Sequence, residues 1–144
     1  MQRIVVGVDG SEGARRALEW AVAEAKMRDA QVVVIHAWTE PAAVAVGSLV
    51  SAGAVEPEVF EDAAERTLRE VLAAVGTTGL PHGIESRLVA GAPAPALLDA
   101  SHDADLVVVG SRGLGGFSGL LLGSVSQQVA HHATSPVVII PDHR

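Results

Sequence analysis

Five short runs dominated by valine and isoleucine set what this chain can fold into: residues 4–8, 31–37, 84–89, 106–109 and 137–140. Their centres, such as Val32-Val33-Val34-Ile35 and Leu106-Val107-Val108-Val109, are continuously apolar instead of alternating. That pattern belongs to strands covered on both faces, as in a parallel sheet flanked by helices. Helical spacing fills the gaps between the runs. Residues 11–29 place Ala14, Leu18, Ala21, Val22 and Ala25 on one face, with Arg15, Arg16, Glu19, Lys26 and Arg28 opposite. Residues 57–75 group Phe60, Ala64, Leu68, Val71, Leu72 and Val75, after the early acids Glu56, Glu58, Glu61 and Asp62 and a proline near the first helical position. Shorter helices are expected at 94–101 and 125–133. Strand–helix alternation implies an α/β fold: one open five-stranded parallel sheet with helices on both faces, in a single domain over 1–144.

Local details follow from the same reading. Glu85 and Arg87 alternate with apolar residues, which suits an edge strand. Residues 39–56 have no clear period and are expected to form a long loop. Either Asp9 or Ser11 can cap the first helix; Asp9 and Glu12 have capping-box spacing, and Glu12 and Arg16, four apart, can pair.

Composition narrows the function. The net charge is −7 and the ten Lys and Arg residues are scattered, which argues against nucleic acid as a partner. Acidity does not exclude a single nucleotide, because backbone N–H groups can hold phosphate without net positive charge. No cysteine is present, so thiol catalysis and thiolate metal sites are excluded. Met1 leads straight into the first apolar run, and the longest uncharged stretch, residues 41–55, is short and rich in small residues. A cytoplasmic protein without a membrane span is expected.

In an open parallel sheet a ligand sits beyond the carboxyl ends of the strands, where strand order reverses. The segment after the fourth run fits that position. Residues 110–126 hold six of the fifteen glycines, at 110, 113, 115, 116, 119 and 123. Glycine lets a ligand approach the backbone without a Cβ in the way, so their concentration between a buried strand and a helix suits a loop that wraps something. Gly123 and Ser124 fall at the start of the last helix, where unpaired N–H groups and the helix dipole favour an anion. Ser124 and Ser126 could add hydroxyl donors, although Ser124 is equally well placed as an N-cap. Arg112 is the one cation in the loop, either reaching a phosphate or lying solvated on the surface. Familiar phosphate and hydrolase motifs fail here. There is no Gly-Lys-Ser/Thr, Ser118 breaks Gly-x-Gly-x-x-Gly after Gly113 and Gly115, and Leu120 replaces the last glycine of Gly-x-Ser-x-Gly.

The spacing Gly110-x2-Gly113-x9-Gly123-Ser124 does have a match: it resembles the universal stress protein family, in its ATP-binding branch. The resemblance extends to Val5-Val6-Gly7-Val8-Asp9-Gly10-Ser11, to Val34-Ile35-His36-Ala37 and to Ser135-Pro136-Val137-Val138-Ile139-Ile140, with residues 39–55 matching least. It implies a Rossmann-like sheet in the order 3-2-1-4-5, so that Gly7 and Asp9 after the first strand face the glycine loop across the reversal. It further implies that Asp9 lies by the nucleotide and that backbone near Ala37 meets the adenine. Gly110, Ser111, Arg112, Gly113, Gly115 and Gly116 would then pass the ribose and phosphates, and Gly123, Ser124 and Val125 hold the phosphates. The implied ligand is ATP, with Mg2+ as a candidate companion, and the implied assembly is a homodimer through the last strand.

Catalytic and metal signals are weak beside this. Consecutive His131 and His132 point about 100° apart on a helix and cannot chelate one ion as an i, i+4 pair could. They suit the helix C-terminal dipole instead. His36 reads as a satisfied core residue, and His82, His102 and His143 fall in loops or the tail. No set of base, charge clamp and metal site typical of phosphoryl transfer is evident. The expectation is a regulatory nucleotide-binding module with slow hydrolysis at most. The rivals are a nucleotide hydrolase or adenylyl-handling enzyme using Asp9 and a metal, and an interaction protein with an empty crevice.

Overall fold

The computed structural model describes residues 1–39, 56–113 and 122–142. Five strands, β1 (Arg3–Gly7), β2 (Gln31–Trp38), β3 (Ile84–Ala90), β4 (Leu106–Gly110) and β5 (Val137–Ile140), pair in the order β3-β2-β1-β4-β5. All four pairings are parallel. The intervening helices are α1 (Glu12–Arg28), α2 (Pro57–Val75), α3 (Pro93–Ser101) and α4 (Ser124–His132). The fold class and strand order expected from the sequence and its resemblance are those observed.

Register explains why the apolar runs are continuous. Ile4 aligns with Val32 and Leu106, and Val6 with Val34 and Val108. These even-numbered residues enter one core, shared with Ala14, Leu18, Ala21 and Ala25 of α1 and Leu68 and Val71 of α2. Their odd-numbered neighbours Val5, Val33, Ile35, Val107 and Val109 enter the other core, with Leu97 of α3 and Val129 of α4. Side chains of a strand alternate between faces, so both sets must be apolar when helices cover both faces. β3 lies at one sheet edge with Ser86 and Arg87 exposed, as its mixed pattern implied.

Local expectations are partly met and partly corrected. Ser11 caps α1: its hydroxyl accepts from the Ala14 amide at 3.2 Å, and the Asp9–Glu12 capping box does not form. Glu12 pairs with Arg15 at 2.9 Å, not with Arg16. Hydrogen bonding from Arg15 and its charge hold the Glu12 carboxyl below its ordinary value. Arg16 turns away to Asp142, 126 residues distant in the chain. α3 begins at Pro93, whose missing N–H is harmless in a first turn. α4 begins at Ser124, with Gly123 as the N-cap residue. His36 is a satisfied core residue, its Nδ1 lying 2.8 Å from the Val8 carbonyl. Of the long loop expected at 39–56, residues 40–55 lie outside the described residues.

Candidate functional site

β1 and β4 are neighbours, and the chain leaves their carboxyl ends in opposite directions, toward α1 and toward α4. A crevice therefore opens between their exits. It holds a cavity of about 400 Å³. Ile35, Val109, Pro93 and Leu97 give it apolar walls, while Asp9, Ser11, Arg112, Gly113 and residues 123–126 form a more polar side.

Glycines let the walls come this close. A Cβ on Gly110 would stand 3.0 Å from the backbone carbonyl of Gly13, so the end of β4 and the first turn of α1 meet main chain to main chain. A Cβ on Gly113 would overlap Oδ2 of Asp9. The other carboxylate oxygen of Asp9 accepts from the Ser11 amide at 3.0 Å and from the Ser11 hydroxyl. Asp9 is thus fixed by the residue that caps α1 and faces the start of the glycine loop. It supports the cap indirectly while lining the cavity.

Ser111 is buried behind the wall and does not line the cavity. Its amide donates to the Ile140 carbonyl at 2.8 Å, and its own carbonyl accepts from the Gly123 amide at 2.6 Å and from the Ser126 hydroxyl at 2.8 Å. The last turn before α4 is thereby tied to the end of β4. Ser126 Oγ also lies 3.1 Å from the Gly123 carbonyl, so its proton is engaged with main-chain oxygens and its hydroxyl serves the loop geometry. Replacing Ser126 by alanine should lower the unfolding free energy by about 1 kcal/mol, since Ser111 O keeps one donor. Chemical denaturation of the two proteins measures the difference.

α4 starts without a side-chain cap. Its first helical bond runs from the Gln127 amide to the Gly123 carbonyl at 3.0 Å. The amides of Ser124, Val125 and Ser126 precede any intrahelical partner, and all three residues line the cavity. Arg112 is not a solvated surface cation: it lines the cavity, and its Nε donates to Asp142 Oδ2 at 2.7 Å. Asp9 and Arg112 are the only ionisable side chains among the described lining residues, and both are engaged.

Of the residues singled out in the sequence, Gly7, Asp9, Ala37, Gly110, Arg112, Gly113, Gly123, Ser124, Val125 and Ser126 surround this one cavity. Gly115 and Gly116 lie outside the described residues. Sequence reasoning missed the apolar walls. The available signal was position: Ile35 and Val109 are the last core-facing residues of β2 and β4 on the side of α3. Leu97 reaches Gly7 so closely that a Cβ there would stand 2.8 Å from its Cδ1. Among the described residues no group of three or more His, Cys, Asp or Glu is placed to hold a metal, and no helix is long and apolar enough to cross a membrane.

An open parallel sheet with a crevice at its order reversal, rimmed by glycine and the start of a helix, defines a doubly wound α/β domain. The chain belongs to the universal stress protein family, whose family model matches residues 1–141. It is 38% identical over 143 residues to a universal stress protein of Thermus aquaticus, covering 95% of this chain and 96% of that protein. It is 36% identical to a universal stress protein of Mycolicibacterium smegmatis, with 95% of this chain but 45% of the relative covered, so it spans about half the length of such relatives. Among solved structures, a universal stress protein in complex with cAMP is 33% identical with a TM-score of 0.63, the match covering 96% of this chain and 95% of that one. The universal stress protein of Archaeoglobus fulgidus in complex with dAMP is 26% identical with a TM-score of 0.66, covering 97% and 98%.

Proposed function

We propose that this chain is a regulatory nucleotide-binding module that holds an adenine nucleotide, ATP, in the crevice between β1 and β4. One observation carries the reading: a cavity of about 400 Å³ with apolar walls opens onto the uncapped start of α4. That volume falls within the usual range for small-molecule sites. The apolar side, with Ile35, Val109 and Leu97, suits a flat base, and the backbone edge at Ala37 suits its hydrogen-bonding rim. The amides of 124–126 suit phosphate oxygens through the helix dipole. Related structures holding cAMP and dAMP support an adenine nucleotide. Mg2+ would accompany the phosphates, with Asp9 the carboxylate among the described lining residues.

A regulatory role is favoured over catalysis because the two ionisable residues among the described lining are already engaged. Asp9 is held by Ser11 and Arg112 by Asp142. Neither is offered as a base or as a clamp for developing charge, so hydrolysis should be slow. β5 lies at a sheet edge with Val137, Val138, Ile139 and Ile140 half-buried, which supports self-pairing of two copies through that edge in a cytoplasmic homodimer.

Denaturing the freshly purified protein and weighing the released small molecules should yield an adenine nucleotide, and calorimetric titration of emptied protein should show ATP binding. No released nucleotide and no heat with ATP, AMP or cAMP would defeat the reading. ATP turnover at ordinary enzyme rates, abolished by Asp9→Asn, would move it to the hydrolase.

A further inference from the structure

Beside the crevice, one carboxylate stands between two guanidinium groups. Arg16 Nη2 donates to Asp142 Oδ1 at 3.0 Å, and Arg112 Nε donates to Asp142 Oδ2 at 2.7 Å, with Arg112 Nη2 also against Oδ2. The side chains of Arg16, Arg112 and Asp142 are 21%, 17% and 26% exposed, so water and salt screen them only in part. Three chain segments meet here. Arg112 follows β4 and lines the cavity, Arg16 lies on α1, and Asp142 follows β5 by two residues. Asp142 Oδ1 is also 3.6 Å from where a Cβ on Gly13 would stand, which puts the carboxylate at the first turn of α1.

We infer that Asp142 is a specificity-setting residue of the crevice: by neutralising Arg112 it governs how strongly the site distinguishes nucleotides by their number of phosphates. The inference rests on the nucleotide-binding reading above. The two guanidinium groups and the Asp142 carboxylate together carry a single net positive charge, which the Asp9 carboxylate on the same side of the cavity balances. Removing the Asp142 charge makes the local sum positive, and removing the Arg16 charge makes it negative. Coulomb attraction scales with the charge of the ligand, so ATP responds more than AMP. Main-chain amides of α4 would supply the geometry of phosphate recognition, and the triad would set the electrostatic bias added to it. A merely structural role for Asp142 would alter both ligands by the same factor.

The test is calorimetric titration of the full chain, as wild type, Asp142→Asn and Arg16→Gln, with AMP and with ATP at one fixed salt concentration. The ATP-to-AMP affinity ratio should rise about five- to tenfold in Asp142→Asn and fall about threefold in Arg16→Gln, for a partly screened charge acting on the extra ligand charge. In Asp142→Asn combined with Arg112→Gln the ratio should return toward the wild-type value. An unchanged ratio, or a shift in the same direction in both single variants, overturns the inference while leaving nucleotide binding intact. Should Asp142→Asn fail to fold, Arg16→Gln alone decides, because the ratio must fall. A wild-type protein that binds neither nucleotide overturns both readings at once.

Discussion

Replacing Leu18 with alanine should lower the unfolding free energy by about 3–5 kcal/mol, near the top of the range for deleting a buried leucine. Leu18 is fully buried on the inner face of α1. Its helical neighbours on that face are small: Gly13, Ala14, Ala17, Ala21 and Ala25 let the helix lie close against the sheet, with Val22 the other large side chain. Across from α1 stand Ile4, Val6, Val32, Val34, Leu106 and Val108. Most of these are β-branched, restricted at χ1 and held by a parallel ladder. The small helical residues and the β-branched strand residues have little freedom to fill the space, so the loss of transfer free energy is joined by a large cavity term. Urea titration should show a lower midpoint with an unchanged slope. A midpoint equal to that of the wild type would mean that α1 does not press Leu18 into this core.

The same residues show how far the fold could be read beforehand. Continuous runs such as Val32-Val33-Val34-Ile35 identify strands buried on both faces, because only that placement uses an apolar residue at every position. Mixed charge in Glu85 and Arg87 marked β3 as an edge for the same reason. Strand order was a different matter: pattern alone allows several, and 3-2-1-4-5 came from resemblance. The crevice was legible where glycine accumulates, since Gly110, Gly113 and Gly123 mark a place between a buried strand and a helix where backbone is closely approached. Its apolar walls were not. Leu97 and Pro93 become lining residues only when α3 is laid across β1 and β2, a long-range event that leaves no local mark. The engagement of Arg112 and Arg16 with Asp142 was hidden for the same reason. Helical spacing offered Glu12 to Arg16, while the partner Arg16 takes lies beyond the last strand. The main chain of Ser111 and the hydroxyl of Ser126 turn out to hold the loop shape, a long-range tie that spacing alone does not reveal.

Gly113→Ala should weaken adenine-nucleotide binding by on the order of 10- to 100-fold, the loss of roughly one hydrogen bond to a charged group, while changing the unfolding free energy by less than about 1 kcal/mol. The residue is exposed and its φ is not in the left-handed region, so alanine fits the backbone without strain. What alanine does not fit is the space beside it. The new Cβ would overlap Oδ2 of Asp9, and Asp9 is not free to withdraw. Its other oxygen accepts from the Ser11 amide at 3.0 Å, and the Ser11 hydroxyl in turn caps α1 at the Ala14 amide, 3.2 Å away. Displacing the carboxylate would strain its tie to Ser11, the residue that caps α1. The backbone at Gly113 is therefore expected to move, shifting its amide relative to the start of α4. Titration of the emptied variant with ATP and AMP, paired with a denaturation curve, separates the two effects. Affinity within about twofold of wild type would place Gly113 away from the ligand, and a large loss of stability would make the Asp9–Ser11 tie, not the loop, the element that yields.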